Sequence, residues 1–427
     1  MEEPAAVLPD DVVLEVVARV ADVPTLFRFA TAAKCWRELI GDRSFLRRRW
    51  PENSTHTAFL AGFFTQRLCL GSEDDENPFI HECKADRDSP PVFIPAPSSM
   101  LGPGFRSLAS GIVDGAKPLT ARRGLLLVRL APVLEHAVVI RLAICDLLAG
   151  TCDELPPLPC NHNWAPESYV ILTGEDCRPP DGHRPRSTLV SNYSTFFKVL
   201  AMGFVCNPCH GDVEYNMCTF SSAGNPGWIS RPKRLGLDYR CPWMQYDAAV
   251  GRHGISHWLC NDWWSDNDDP SKYFTISVSP KDGHVSLAKL SFLANRPTAD
   301  AYHLATVDGT LSLFLLYTGN EGLWLDSWAR RDGTQWHRTR VTELKPPEHR
   351  RIESVIYLWL GEKSGTLLII DSKGFKYVIY LETGAMQEIS SQFSGMVGDA
   401  VPMEIEWPDL FMSRLTGGLH KQREKFT

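Results

Sequence analysis

Apolar residues follow the period of a helix at the start of the chain. Asp10 can cap a first short helix, whose apolar face is formed by valines at positions 13, 16, 17 and 20. Thr25 can cap a second helix, and a third begins near Lys34 and carries Trp36. Residues 45 and 46 form only a last helical turn. The pattern therefore predicts three helices before residue 50.

Beyond residue 50 the apolar runs become short, and turn-forming residues separate them. Asp-Gly pairs at residues 282–283, 308–309 and 332–333 are typical of tight hairpins. Units of three or four strands recur at roughly 40 to 60 residues, the spacing expected of propeller blades. No long amphipathic helix is predicted after residue 50. The sequence thus predicts a large all-β domain, a β-propeller of about six blades.

The composition fits a globular protein and reduces the classes of partner to be expected. Hydrophobic residues make up 44% of the 427 residues and charged residues 22%, which excludes wholesale disorder and a collagen-like fibre. The net charge of −7 argues against nucleic acid as a partner. We expect no secretory signal, because the first residues lack its basic and apolar regions, and no membrane helix, because the apolar runs are shorter than the about 20 residues that one needs. We expect a protein of the cytoplasm or nucleus, without a membrane partner, whose 12 cysteines are buried free thiols.

Motifs that suggest a metal or a cofactor each have a simpler interpretation. Residues 206–210 spell C-x-x-C-H, the spacing of haem attachment, but two thiols beside a hairpin also give it. His253, His257 and Cys260 could bind zinc, yet on a strand position 260 faces away from the other two. The acidic residues at 262–269 lack the spacing of a calcium loop and favour an exposed loop. We predict no cofactor, no metal site and no catalytic residue.

The first fifty residues resemble the F-box. Residues 8–11 (Leu-Pro-Asp-Asp) are similar to the family's opening, residues 34–37 (Lys-Cys-Trp-Arg) to its Cys-Lys-x-Trp-Arg segment, and residues 42–46 to its closing turn. Ala32 and Ala33 stand where Val and Cys are usual, which would reduce the apolar area of the docking contact.

The resemblance implies that residues 8–50 form a three-helix F-box. Such a domain docks on the adaptor subunit of SCF-type cullin–RING ubiquitin ligases, from the S-phase kinase-associated protein family, and through it on the cullin. By position, the docking surface would consist of Leu8, Pro9, Val13, Val17, Leu26, Trp36 and Leu39. Trp36 is a candidate hot spot, because large aromatic residues dominate such interfaces, and the alternative that it is a core residue holding the third helix to the first stays open.

The strand units are similar to the F-box-associated, propeller-like domains of plant F-box proteins, as found in grasses. The similar segments are residues 50–64, 197–200, 221–228, 254–259 and 308–328. The resemblance implies that residues 51–427 recognise a protein substrate, and that the chain is a non-catalytic subunit of the ligase. Trp263 and Trp264, together in a turn-rich loop, are the predicted substrate-binding residues. Two alternatives stay open: a propeller hydrolase or oxidase with a helical cap, and an F-box scaffold outside any ligase.

Overall fold

The computed structural model describes twenty segments of the chain. They are residues 9–20, 22–51, 58–67, 91–97, 99, 116–130, 139–160, 166–174, 176–177, 196–206, 213–223, 227–234, 242–245, 247–262, 272–307, 309–319, 322–331, 335–348, 350–389 and 397–423. These segments form a six-bladed β-propeller that carries a small group of helices. None of the helices in the described segments has the length and apolar character needed to cross a membrane.

Four short helices open the chain. They are α1 (Asp10–Ala18), α2 (Val23–Ala32), α3 (Lys34–Ile40) and α4 (Arg43–Arg49). The Asp42 carboxylate accepts hydrogen bonds from the amides of Ser44 (2.8 Å) and Phe45 (3.2 Å), which caps α4. The prediction of three helices is wrong in number, because this cap extends the expected single turn into a helix.

A fifth helix, α5 (Trp407–Arg423), ends the described chain and packs on the first four. Phe411 is fully buried, and its ring stacks on that of Phe27 with a centroid distance of 4.0 Å. Leu415 enters the same apolar core. The 17-residue helix α5 was not expected, since no long amphipathic helix was predicted after residue 50. Helices from both ends of the described chain build the helical module, defined here as α1–α5.

Twenty-six strands within the described segments form the blades. Blade 1 contains β1 (Ala58–Arg67), β2 (Val92–Pro95) and β26 (Val397–Glu406). Blade 2 contains β3 (Ala116–Arg122), β4 (Leu125–Leu130), β6 (Leu142–Asp146) and β7 (Thr151–Glu154), beside the pair β5 (Val139–Ile140) and β8 (Leu158–Pro159). Blade 3 contains β9 (Ser168–Thr173), β10 (Phe197–Cys206), β11 (Val213–Ser221) and β12 (Ile229–Arg234).

The second half of the ring repeats this arrangement. Blade 4 contains β13 (Pro242–Met244), β14 (Ala249–Val250), β15 (Ser256–Asp262), β16 (Tyr273–Val278) and β17 (Val285–Lys289). Blade 5 contains β18 (Ala301–Val307), β19 (Thr310–Gly319), β20 (Gly322–Arg331) and β21 (Gln335–Leu344). Blade 6 contains β22 (Val355–Leu360), β23 (Thr366–Asp371), β24 (Lys376–Tyr380) and β25 (Ala385–Glu388).

The ring closes in blade 1, where the last strand pairs with the first. β26 runs antiparallel to β1, with Phe59 opposite Ile405. Inner strands of neighbouring blades contact one another, as β26 does with β3, β3 with β9 and β18 with β22. Closing the ring in this way leaves only short, protected sheet edges at the centre of the molecule. The predicted β-propeller of about six blades is confirmed.

Apolar clusters between neighbouring blades form the core of the propeller. Trp258 is fully buried between blades 3 and 4, and its Nε1 donates a hydrogen bond to Ser168 Oγ at 2.8 Å. In blade 2, Cys145 and Cys152 lie directly opposite each other and form a disulfide. The prediction that the cysteines are buried free thiols is therefore wrong for this pair, and also for Cys35, a free thiol that is exposed.

Candidate functional site

Three of the predicted adaptor-binding residues lie inside the helical module. Val13, Val17 and Leu26 are 7%, 0% and 0% exposed, and they pack in the core that contains Phe411 and Leu415. These three side chains stabilise the helices against one another. The part of the predicted surface that a partner could touch is therefore smaller than the sequence indicated.

The other predicted adaptor-binding residues lie nearer the surface. Pro9 is exposed and occupies the N-cap position of α1. Trp36 and Leu39 are half-buried, and the Trp36 ring meets that of Phe29 edge-on with a centroid distance of 5.0 Å. Leu8 lies outside the described residues.

The outer face of α1 carries two apolar side chains that the sequence analysis did not assign to a surface. Val12 is 41% exposed and Val16 is 52% exposed. Spaced four residues apart, they lie on one side of the helix, while Val13 and Val17 are buried on another. The periodicity groups Val16 with Val13 and Val17 on one apolar face, but in the structure Val16 is exposed while the other two are buried.

The predicted substrate-binding residues Trp263 and Trp264 lie outside the described residues, as do residues 207–210 of the C-x-x-C-H segment. His257 Nδ1 lies 2.7 Å from Ser277 Oγ, and burial lowers the pKa of this imidazole to about 4. Burial also raises the pKa of the Cys260 thiol well above its usual value. The described part of the chain contains no group of three side chains placed to bind a metal ion.

A cluster of charged residues lies where the inner strands end, at one mouth of the propeller axis. Arg122, the last residue of β3, binds Asp176 through two hydrogen bonds of 2.8 and 3.2 Å. Its third nitrogen donates to Glu362 Oε2 at 2.8 Å. Asp176 also accepts hydrogen bonds from the amide and hydroxyl of Thr173. These contacts connect blades 2, 3 and 6.

The cluster continues into blade 1 through the end of β26. Glu406 lies 3.4 Å from the Nε of Arg123 and 2.6 Å from the Nζ of Lys363. Glu404, two residues earlier on the same strand, accepts hydrogen bonds from the amides of Ser364 (2.8 Å) and Lys363 (3.4 Å). The axial cluster is defined here as Arg122, Arg123, Asp176, Glu362, Lys363, Glu404 and Glu406.

The pKa values of the carboxyl groups in the axial cluster are shifted in opposite directions. Burial acts to raise the pKa of Asp176, but Arg122 outweighs it and holds the pKa well below its usual range. The pKa of Glu406 is lowered as well, since Arg123 and other cations outweigh its burial. Burial raises the pKa of Glu404, and the nearby carboxylate of Glu362 raises it further. Carboxyl groups whose pKa values differ in this way are typical of acid–base sites and also of structural ion networks.

A cleft of about 390 Å³ opens between blades 3 and 4. Its lining includes three cationic side chains, Lys198 from β10, Arg231 from β12 and Lys281 from the turn after β16. No carboxylate occurs among its described lining residues. The full lining is Phe196, Lys198, Met217, Thr219, Ser221, Ala223, Gly227, Ile229, Arg231, Ser279, Pro280, Lys281 and Gly283.

The cleft and the axial cluster lie on the same face of the propeller. Phe197 at the start of β10 is opposite Thr173 at the end of β9, just before Asp176. Gly254, with φ of 73°, joins the two sites: a Cβ there would lie 3.1 Å from the Asp176 carbonyl oxygen and 3.2 Å from the ring of Pro280. A glycine fits both this backbone conformation and this close approach.

Comparisons with known proteins provide no family for the chain. No family model and no curated protein match it. One similar solved structure is an α-L-arabinofuranosidase of Fusarium graminearum with arabinobiose (10% identity, 66% of this chain and 82% of that chain, TM-score 0.33). Another is a periplasmic gluconolactonase of Pseudomonas aeruginosa (10%, 80% and 99%, TM-score 0.34). A third is an endo-arabinase from Bacteroides thetaiotaomicron (11%, 68% and 93%, TM-score 0.29).

These comparisons correct one sequence-based prediction. The chain was predicted to be a non-catalytic subunit, whereas the three similar propellers are all named as enzymes. The prediction that the chain is not an enzyme is therefore corrected. Similarity at these TM-scores does not transfer the activity of any of the three enzymes to this chain.

Proposed function

We propose that the chain is a substrate receptor of an SCF-type ubiquitin ligase. The helical module binds the adaptor subunit, through it the cullin, and the propeller binds a protein substrate in the cytoplasm or nucleus. The receptor would act by holding substrate lysines near the ubiquitin-loaded conjugating enzyme, which raises the effective concentration of these lysines.

The observation that carries this proposal is the apolar character of α1 on two sides. Val13 and Val17 bury one side, while Val12 and Val16 remain 41% and 52% exposed on another. A short helix that is apolar on both sides is expected to pack against a second surface. An adaptor covering Val12, Val16 and the neighbouring Pro9 would bury them.

Residues of α3 and of the junction between α2 and α3 add accessible apolar surface to the helical module. Trp36 is accessible on part of its ring, and Leu39 lies one turn further along α3. Ala32 is exposed and Ala33 is half-buried between the two helices. Small side chains here leave Trp36 as the largest apolar contact that a partner could make.

Binding of the purified full chain to the plant adaptor, measured by isothermal titration calorimetry, tests this proposal. A Val12→Asp/Val16→Asp variant should weaken binding by at least about tenfold, because two buried carboxylates would replace two apolar contacts. Val341→Asp is the matched control, since Val341 is 49% exposed on β21 of the propeller. Equal affinity of the wild type and the α1 variant, with unchanged circular dichroism, contradicts the proposal.

A second function is favoured by the axial cluster, namely an acid–base hydrolase. Glu404 has a raised pKa and Glu406 a lowered one, and residues two apart on a strand share a face. One carboxyl group could thus donate a proton while the other stays ionised. The similar propellers named above suggest arabinosides and sugar lactones as the first compounds to assay.

The two functions are separable by one pair of variants. If the chain hydrolyses a compound of this panel, Glu404→Gln should remove the activity and leave adaptor binding intact. Val12→Asp/Val16→Asp should do the opposite. Absence of turnover by the wild-type chain on all these compounds contradicts the hydrolase function.

A further inference from the structure

We propose that the cleft between blades 3 and 4 binds an acidic segment of a partner protein, with an apolar side chain at its centre. This inference rests on the proposed function, because it names the class of substrate that the propeller would hold. It assigns the recognition to Lys198, Arg231 and Lys281.

The first argument is charge. Three cations converge on a cleft whose described lining contains no Asp or Glu side chain. Asp282, in the turn between Lys281 and Gly283, is exposed, and its carboxylate accepts hydrogen bonds from the His284 amide at 3.0 Å and from the Ser279 side chain. Like charges held close together raise the local potential and favour an anionic ligand. Carboxylates of a partner would supply the missing counter-charges.

The second argument is shape and polarity. A volume of about 390 Å³ lies at the lower end of the range for ligand pockets, roughly 300 to 1,000 Å³, and accommodates a few side chains. Met217 is buried at the base of the lining, and Ile229 is 50% exposed beside it. The hydroxyl groups of Thr219, Ser221 and Ser279 line the same space. An apolar side chain flanked by carboxylates complements this combination.

The third argument is that two of the cations are already positioned. Arg231 donates a hydrogen bond to the Asp282 carbonyl oxygen at 2.7 Å, which connects blade 3 to the turn of blade 4. The Nζ of Lys198 lies 5.8 Å from the centre of the Phe196 ring. Side chains held in this way lose less conformational entropy when a ligand binds.

Fluorescence polarisation with the full chain and labelled short peptides tests the inference. The peptides share a central leucine and differ in its neighbours: glutamates, phosphoserines, glutamines or lysines. We expect the glutamate peptide to bind at least about tenfold more tightly than the glutamine peptide, and less tightly as salt increases. The phosphoserine peptide distinguishes phosphate from carboxylate as the preferred anion within the same acidic class.

Charge reversal locates the binding. Lys198→Glu/Lys281→Glu should lower the affinity for the acidic peptide by at least about tenfold. Lys345→Glu/Arg351→Glu changes the net charge equally at two exposed positions outside the cleft lining, and it should leave the affinity within about twofold. Equal affinity for the acidic and neutral peptides, or equal losses in the two variants, overturns the inference. Tighter binding of an RNA oligonucleotide with the same charge overturns it as well.

Adaptor binding by the same variants separates this inference from the proposed function. The cleft variant should bind the adaptor as the wild type does. If the wild type binds the adaptor but no acidic peptide, the cleft inference alone fails. If it binds the acidic peptide through the cleft but no adaptor, the proposed function fails and the cleft stands as a binding site.

Discussion

The axial cluster and the cleft lie on one face of the propeller and both contain three cations, yet they differ in how those cations are balanced. In the axial cluster, Arg122 is bound by Asp176 and Glu362, and Lys363 by Glu406. In the cleft, the described lining supplies no carboxylate. The cluster connects blades through paired charges, while in the cleft Arg231 and Lys281 are exposed and Arg231 binds a backbone oxygen rather than a carboxylate.

This difference indicates how each group of charges acts. An ion pair that is largely shielded from water adds little net stability when it is complete, because desolvation offsets the attraction, but removing one partner leaves an uncompensated buried charge. Charges on an open surface contribute little to stability and much to recognition. We therefore expect substitutions in the cluster to affect folding and substitutions in the cleft to affect binding.

The largest expected effect is that of Asp176→Asn in the axial cluster. The variant retains the shape of the side chain but leaves Arg122 with Glu362 alone, which should lower the free energy of unfolding by about 3 kcal/mol. The Asp176 pKa is lower in the folded protein than in the unfolded chain. Its contribution is thus complete above about pH 4 and is lost as the pH falls further. Urea unfolding at several pH values measures both.

A surface pair in blade 2 provides the control for this prediction. Arg141 and Glu154 also form two parallel contacts, of 2.8 and 3.1 Å, but their side chains are 49% and 48% exposed. Glu154→Gln should leave stability unchanged within error, because water screens such a pair. If both variants destabilise the protein equally, burial is not what distinguishes the axial cluster.

Lys376 extends the comparison to a cation that is shielded from solvent and has no carboxylate partner in the described structure. Its side chain is fully buried in β24, and its Nζ has no hydrogen-bond partner in the described structure. Burial lowers the pKa of this amine to about 8. Lys376→Met should raise the free energy of unfolding at pH 7 by about 2 kcal/mol, since an apolar side chain of similar length incurs no desolvation penalty.

The pH dependence of the Lys376→Met effect gives a sharper test. Between about pH 8 and 10.4 the unfolded chain binds a proton that the folded wild type has lost, so the wild type gains stability as the pH rises. The advantage of the methionine variant should therefore shrink across this interval. An advantage that stays constant with pH would mean that the amine is not destabilising when charged.

The smallest expected effect is that of Lys281→Ala in the cleft. Lys281 is exposed in the turn between β16 and β17. Its removal should change the free energy of unfolding by less than about 0.5 kcal/mol. Thermal unfolding of this variant beside Asp176→Asn compares the two sites directly. A large loss of stability here would assign the cleft a structural role and remove the contrast.

The propeller and the first three helices were predictable from the sequence, because both rest on local periodicity. Asp-Gly turns and alternating strands recur along the chain, and the spacing of Val13 and Val17 marks a buried helical face. The helix α5 was missed because Gly417 and Gly418 weaken its helical pattern. Its burial depends on Phe411 reaching the N-terminal helices, a contact between opposite ends of the chain.

The axial cluster and the cleft could not be predicted in the same way. In the sequence, the three residues of the axial cluster's central ion pairs look like ordinary charged surface residues. Asp176 is 54 positions and Glu362 is 240 positions away from Arg122. Only the closing of the ring brings them together. The cleft likewise requires β12 and the turn after β16 to come from neighbouring blades. The residues next to each charge in the sequence do not indicate which charge of another blade it will pair with.

One measurement tests the central claim that the chain connects an adaptor to an acidic partner. The adaptor is immobilised, the full chain is captured on it, and the acidic peptide is then added, with each step followed by biolayer interferometry. The account predicts capture of the wild-type chain followed by peptide binding. Val12→Asp/Val16→Asp should remove both signals, and Lys198→Glu/Lys281→Glu only the second. Failure of the adaptor to capture the wild-type chain, or release of the chain by the peptide, would contradict the account.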